Sequence, residues 1–180
     1  MVRALCPTLR VTGPEALGPV LDRAFALMLG GRPGPVHIEV PTDVMALPAP
    51  ALPPPGPPPL PRLPEPQALA DALARLNIAA RVVILAGGGA RHASGPLRAL
   101  AEALDAPVVQ TVNARGVMFG HALSVPASPS LASVRGLIAG ADLVLAVGTE
   151  LGPTDYDMYA RGGFPDLGGM IRVDVCAEQL

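Results

Sequence analysis

Prolines crowd the middle of this chain: Pro48, Pro50, Pro53-Pro54-Pro55, Pro57-Pro58-Pro59, Pro61, Pro64 and Pro66, out of 23 in 180 residues. Each fixes its own φ and removes a backbone donor, so neither a helix nor a sheet ladder can run through them. The composition shifts at Pro41, and residues 46–66 read as an inter-domain linker in extended polyproline II, at about 3.1 Å per residue. Two folded parts are therefore expected, 1–45 and 67–180. The other use of such a segment, as a ligand for proline-recognising modules, is uncommon in a cytoplasmic α/β chain.

The part after the linker alternates helical and buried-strand patterns. Pro66 to Ile78 places Leu69, Leu73 and Leu76 on one helical face. Val82-Val83-Ile84-Leu85-Ala86 follows, an unbroken aliphatic run of the kind that helices cover on both faces in a parallel sheet. Ser94 to Leu104 is the next helix, with Leu97, Leu100, Ala101 and Leu104 on a common face, and Pro107 to Thr111 the next strand. A polar, glycine-containing stretch runs from Asn113 to about Pro129. Leu131, Val134, Leu137 and Ile138 then mark a helix stopped by Gly140, and Asp142 to Gly148 a third buried strand. A long loop from Thr149 to Met170 leads to a fourth strand, Ile171 to Val175. This order predicts an α/β fold, a Rossmann-like doubly wound parallel sheet. Right-handed crossovers then gather the turns after Ala86, Thr111, Val147 and Val175 on the carboxyl edge of the sheet, where a ligand would bind.

The part before the linker is sparser. Pro14 to Leu29 has Leu17, Leu21, Ala24 and Met28 at helical spacing, with Thr12 or Gly13 as cap and Gly30-Gly31 as the stop. Val36-His37-Ile38-Glu39-Val40 alternates as a strand with one wetter face. The pattern shows no strand before it, and a lone strand leaves its backbone groups unsatisfied. Residues 1–45 thus read as the tail of a domain whose body lies elsewhere, either loosely ordered or paired with another molecule.

Charge and composition exclude several function classes. A net charge of −2 gives no basic stripe for nucleic acid. No apolar run approaches the roughly 20 residues of a membrane span. The start has no apolar core that would make it a signal peptide, which points to the cytoplasm. Cys6 and Cys176 lack CxxC spacing and read as free thiols in a reducing compartment, with no structural zinc.

The turn Gly87-Gly88-Gly89 after the first buried strand invites a phosphate cradle, because glycines permit a sharp turn and can leave amide N–H groups open to a ligand. The alternative is a tight strand-to-helix turn that binds nothing. A dinucleotide fingerprint would need a third glycine where His92 stands and an acid at the end of the next strand, which closes on Gln110-Thr111. A P-loop would need a lysine, and the chain has none. His37, His92 and His121 lack a positioned nucleophile or carboxylate partner and read as solvated or structural. Glu150 with Asp155-Tyr156-Asp157 reads as a solvated acidic loop, although it could hold a cation. No catalytic residue and no metal ligand is assigned.

Three segments resemble the acetolactate synthase group of thiamine-diphosphate enzymes. Gly31-Arg32-Pro33-Gly34-Pro35-Val36-His37-Ile38-Glu39-Val40-Pro41-Thr42-Asp43-Val44 resembles the close of their pyrimidine-binding domain. Ala86 to Gly89 with Thr111 to Gly116, and Ala141 to Gly148, resemble their central domain, whose last strand Ile171 to Val175 matches. The resemblance implies a remnant of the first domain at 1–45 and the central domain at 67–180. The catalytic glutamate and the Gly-Asp-Gly motif for magnesium and diphosphate would lie in the flanking domains. The parent would be a homo-oligomeric 2-oxo acid decarboxylase or carboligase using thiamine diphosphate and Mg, which this part does not bind; its partners would be the remaining domains of the parent.

Flavin-holding relatives bind FAD on this domain, which implies candidate cofactor residues at Gly87, Gly88, Gly89, Thr111, Asn113, Gly148, Thr149 and Asp174. Those relatives carry an arginine and paired aspartates after the glycine at 148. Here Thr149-Glu150-Leu151-Gly152-Pro153-Thr154-Asp155 brings negative charge instead, which implies an empty or degenerate flavin site. Thr154-Asp155-Tyr156-Asp157 resembles the guanidino-oxopentanoate decarboxylase branch, where acids suit a basic substrate. Three readings stay open at this point: a non-catalytic central domain, an FAD- or ADP-binding module, and an enzyme on the related NAD-dependent deacylase fold.

Overall fold

The computed structural model describes residues 2–60 and 62–180, without the side chains of Arg161 and Glu178. It separates into two units, Met1–Leu63 and Pro64–Leu180.

The first unit holds strand β1 (Thr8–Arg10), helix α1 (Leu17–Leu29), strand β2 (His37–Glu39) and the single turn α2 (Thr42–Met45). β1 and β2 pair in parallel, Thr8 against His37, Leu9 against Ile38 and Arg10 against Glu39. The expectation of a strand with no neighbour is therefore corrected. Thr8-Leu9-Arg10 escapes a periodicity reading because three residues carry too little pattern. His37 N–H donates to Pro7 O and Val11 N–H to Glu39 O, at 2.9 Å each, which extends the ladder at both ends. An Arg10–Glu39 ion pair at 3.0 Å crosses the two strands. The apolar interior is small, with Val11 and Ala24 as the described buried hydrophobic residues of this unit, while Phe25, Leu27 and Leu29 stay exposed.

The proline segment does not leave this unit as a free chain. Residues 52–59 lie along α1, with Pro53 against Gly18, Gly56 against Asp22 and Pro59 against Gly30.

The second unit is built on five parallel strands: β3 (Val82–Ala86), β4 (Val108–Gln110), β5 (Ser124–Val125), β6 (Leu143–Val147) and β7 (Met170–Val173). Their spatial order is β5-β4-β3-β6-β7. The α/β fold with a parallel, doubly wound sheet is thus present. The short β5, inside the stretch read as a polar loop, pairs with β4 through Val108↔Ser124 and Val109↔Val125. β7 begins and ends earlier than its apolar run, at Met170 and Val173.

Alternation along the strands explains the two-sided core. Val82, Ile84 and Ala86 point to one face with Leu97 and Ala101 of α4 (Ser94–Leu104) and Leu76 of α3 (Pro66–Ile78). Val83 and Leu85 point to the other with Val134 and Ile138 of α5 (Ala132–Ala139). All five residues of β3 are buried, as an interior strand under helices requires. Leu69 and Leu73 of α3 are half-exposed, so of the leucine face read from the sequence only Leu76 enters the core. α4 ends with Asp105 in the left-handed region at φ 47°, which Asp tolerates better than most residues. Asp142 sits just before β6 and accepts from the N–H groups of Ala80 and Arg81, at 3.0 and 2.9 Å, fixing the register at which α3 hands over to β3.

Candidate functional site

Strand order reverses between β3 and β6, whose crossovers leave in opposite directions. In an open parallel sheet the crevice outside the carboxyl ends at that reversal is where ligands bind. Gly87, Gly88 and Gly89 follow β3 there, and Gly148 and Thr149 follow β6. Thr111 and Asn113 follow β4 on the other side. The structure brings these seven of the eight candidate residues together. Asp174, after β7, stands one strand further out.

The glycines are explained by how closely two backbones approach. A Cβ on Gly87 would lie 2.3 Å from Gly148 O and 2.4 Å from Thr149 Cα. One on Gly89 would lie 2.8 Å from Gly148 Cα, and one on Gly148 would lie 2.6 Å from Gly89 Cα. Gly148 also takes φ +57°, a conformation costly for any residue with a Cβ. The two turns are sealed by hydrogen bonds: Gly87 N–H to Val147 O at 2.9 Å and Gly89 N–H to Gly148 O at 3.0 Å. The expectation that the glycine turn leaves its amides open to a ligand is therefore corrected for Gly87 and Gly89. Those donors are used by the neighbouring strand's turn. Gly88 faces the other way, where an added Cβ would come 3.1 Å from Asn113 Cβ.

Thr111 is buried and its N–H donates to Ala86 O at 3.0 Å, so it continues the ladder beyond β4. Asn113, in the turn Val112–Ala114, is exposed. Thr149 is buried, its Oγ1 accepting from Leu151 N–H at 3.3 Å and lying 3.5 Å from the Tyr156 hydroxyl. The Asp174 carboxylate turns inward. It accepts from Cys176 N–H at 2.9 Å and lies 3.6 Å from Arg172 Nη2, which itself donates to Thr149 O at 3.1 Å.

The loop after Gly148 departs most from its reading as a solvated surface. Tyr156 is fully buried, with 0% of its surface exposed, and meets Phe164 edge to face with centroids 4.7 Å apart. Burial pushes its phenol up to about 12, the Thr149 hydroxyl opposing and the Asp155 charge adding to the shift. Arg135 of α5 donates to Tyr156 O and, at 2.7 Å, to Gly163 O, so one guanidinium holds two points of the loop seven residues apart. Leu151 and Asp157 take positive φ, 54° and 53°, bending the loop back onto the sheet. Tyr156, Arg135 and Arg172 are the residues that sequence reasoning missed. The available signal was a single aromatic amid acids, which in a protein with two tyrosines marks an anchor as readily as a surface.

The expectation that His121 has no carboxylate partner is corrected: its Nε2 pairs with Glu102 Oε1 at 2.9 Å, and its Nδ1 accepts from Leu123 N–H at 3.2 Å, a structural clasp between α4 and the loop before β5. Both cysteines are free thiols. Among the described residues no cluster of His, Cys, Asp or Glu is placed to hold a metal ion. No described helix is long and apolar enough to cross a membrane.

Two of the three glycine amides at the edge are spent on backbone carbonyls, Arg172 beside Thr149 is shared with Asp174, and Glu150, Asp155 and Asp157 fall in the loop that follows.

Comparison with known proteins gives a consistent picture. Residues 69–180 match the family model described as "Thiamine pyrophosphate enzyme, central domain". The chain is 41% identical over 169 residues to "Probable 2-ketoarginine decarboxylase AruI" of Pseudomonas aeruginosa, covering 90% of this chain and 29% of that one. It is 32% identical over 161 residues to the oxalyl-CoA decarboxylase of Escherichia coli K12, covering 79% of this chain and 26% of that one. It is 32% identical over 163 residues to the acetolactate synthase large subunit of Corynebacterium glutamicum, covering 83% and 26%. A solved structure titled "X-ray structure of a putative thiamin diphosphate-dependent enzyme isolated from Mycobacterium smegmatis" superposes with a TM-score of 0.65 at 21% identity, covering 93% of this chain and 37% of that one. The chain thus spans less than a third of the length of these curated relatives.

Proposed function

Because this chain belongs to the family of thiamine pyrophosphate enzyme central domains, we propose that residues 67–180 serve as the non-catalytic central domain of a larger thiamine-diphosphate-dependent enzyme acting on a 2-oxo acid. In this reading residues 1–45 are the closing part of the preceding domain, and the whole protein is a cytoplasmic homo-oligomer. The observation that carries the proposal is the sealed carboxyl edge. Gly87, Gly89 and Gly148 there are taken up in backbone packing, which suits a structural role for the edge. Thiamine diphosphate supplies a carbanion-stabilising group when bound, and with its magnesium it belongs to the other domains of the whole protein. This chain's residues contribute rigidity: β3 and β6 buried on both faces, and Arg135 and Tyr156 holding the 149–163 loop shut.

The eight edge residues named from the sequence are proposed as the remains of a nucleotide-binding scaffold that holds no flavin. An FAD- or ADP-binding module is the weaker reading, because the amides of Gly87 and Gly89 are already bonded to backbone carbonyls. The NAD-dependent deacylase reading has no supporting observation, since the matched family and relatives are thiamine enzymes.

For the whole protein we favour decarboxylation of a 2-oxo acid with a guanidinium side chain, on the 41% identity to the 2-ketoarginine decarboxylase against 32% to the acetolactate synthase. A carboligase of the acetolactate type is the second reading. The test is CO2 release by the whole protein with thiamine diphosphate and magnesium, from 2-ketoarginine and from pyruvate in parallel. Turnover of 2-ketoarginine is expected, and none from the 180-residue chain alone. Activity in that chain alone overturns the scaffold reading, whereas a whole protein that turns over only pyruvate overturns the substrate assignment.

A further inference from the structure

The proline segment makes one specific contact that its composition does not foretell. From Pro53 to Pro59 every residue but Gly56 is a proline, so Gly56 carries the one backbone N–H of the run. That N–H donates to Asp22 Oδ1 at 3.2 Å. Asp22 is in turn the one acidic residue of α1.

The surrounding contacts are laid out along a helical stripe. Gly18, Asp22, Ala26 and Gly30 follow one another at intervals of four, which places them on one face of α1 and its C-cap. Pro53 Cδ lies 3.4 Å from the point where a Gly18 Cβ would sit, and Pro59 Cγ lies 3.6 Å from that of Gly30. Between them Asp22, Phe25, Ala26 and Leu29 form with Pro55–Pro59 a shallow apolar groove of about 250 Å³. The lengths agree. Gly18 to Gly30 spans about 18 Å at the α-helical rise, and Pro53 to Pro59 about 19 Å at the polyproline II rise. Small residues at 18, 26 and 30 let the prolines approach, while the polyproline form is preset by the rings and loses little entropy on docking.

The geometry points to residues 52–59 as a strap that docks on α1 through the Gly56–Asp22 bond, and so shortens the connection between the two units. Docked, it leaves residues 60–65 to reach α3. Released, the whole of 46–65 becomes tether, about three times as long at the same rise per residue. The strap is thereby a built-in control on how far the second unit can travel from the first.

Three forms of the 180-residue chain test this: wild type, Asp22→Ala, and Gly56→Pro, which keeps the polyproline form, removes the donor and turns a ring Cδ toward the Asp22 carboxylate in its place. Far-UV circular dichroism checks that each is folded. In the wild type the Gly56 amide should exchange at least about five-fold more slowly than a free peptide amide, the effect of one such bond, and Asp22→Ala should abolish the protection. The two cysteines, Cys6 and Cys176, fall one in each unit and accept spin labels without further substitution. The distribution of distances between them should be broader in both variants than in the wild type. A wild-type Gly56 amide exchanging at the free rate, or an equal spread of distances in all three proteins, overturns the inference.

Discussion

Replacing Gly87 by alanine tests the claim that the glycine turn exists for backbone packing. The new Cβ would stand 2.3 Å from Gly148 O, 2.4 Å from Thr149 Cα and 2.6 Å from Thr149 Cβ, and the first two of these are backbone atoms that no rotamer change can move. The turns must separate. Overpacking of this kind costs about 1–3 kcal/mol. Separation also weakens the bonds from Gly87 N–H to Val147 O and from Gly89 N–H to Gly148 O, at about 1 kcal/mol each. The sum is about 3–5 kcal/mol, a large share of the roughly 5–15 kcal/mol typical of a domain. At an m value of about 1.5 kcal/mol/M the urea midpoint falls by about 2–3 M. Gly88→Ala should cost less, about 1 kcal/mol, because its Cβ comes no closer than 3.1 Å, to Asn113 Cβ in an exposed turn that needs to give by only a few tenths of an ångström. Gly136→Ala, on the exposed side of α5 with nothing within 4 Å, should gain about 0.5–1 kcal/mol. Both tyrosines lie in the second unit and the chain has no tryptophan, so tyrosine fluorescence follows this unit alone through the urea transition. A midpoint for Gly87→Ala as near to wild type as that of Gly88→Ala refutes the packing account, and would return the glycines to a role in binding.

Other expectations concern charge and the 149–163 loop. The Arg81 N–H bond, with that of Ala80, holds the Asp142 carboxyl below its usual range against some desolvation. A depressed carboxyl stabilises the folded state above its unfolded value and loses that contribution as pH falls through the folded one; acid unfolding of the second unit should therefore steepen below about pH 4, and Asp142→Asn should flatten it. Tyr156, raised to about 12 by burial, contributes stability that is complete below the unfolded value near 10 and is lost as pH climbs through 12. Alkaline titration should show its phenolate absorbance appearing together with unfolding, and Tyr156→Phe should shift that unfolding upward in pH. Arg135→Ala removes the donors to Tyr156 O and Gly163 O and should cost about 1–3 kcal/mol, with amide exchange rising first across 151–163. An unchanged exchange pattern there refutes Arg135 as the loop's anchor.

Much of this architecture is written in local pattern. The aliphatic runs at 82–86 and 143–147 announce themselves as buried parallel strands, because helices on both faces remove the need for alternation. The helices at 66–78 and 94–104 follow from leucine spacing and start and stop where the sequence places them. The carboxyl edge, with Gly87 to Gly89, Thr111, Asn113, Gly148, Thr149 and Asp174, was legible too, since right-handed crossovers leave those turns one place to go. β1 and β5, of three and two residues, were not, because strands so short are defined by their partners rather than by a period. Nor was the burial of Tyr156, which depends on Arg135 from a distant helix and on two residues bent into positive φ.

The sequence by itself thus determined the longer strands and helices, and that three glycines and a fourth meet at one edge. Only the tertiary structure decided what they meet for. Hydrogen-bonding capacity is local to a residue, but its use depends on which backbone arrives opposite. Here Gly148 arrives close enough to take the Gly89 N–H and to leave no room for a Cβ, so an edge that reads as a cradle is closed by its own chain. The same holds for the prolines. Their rings fix an extended form in advance, yet that Gly56 finds Asp22 follows only from α1 lying alongside.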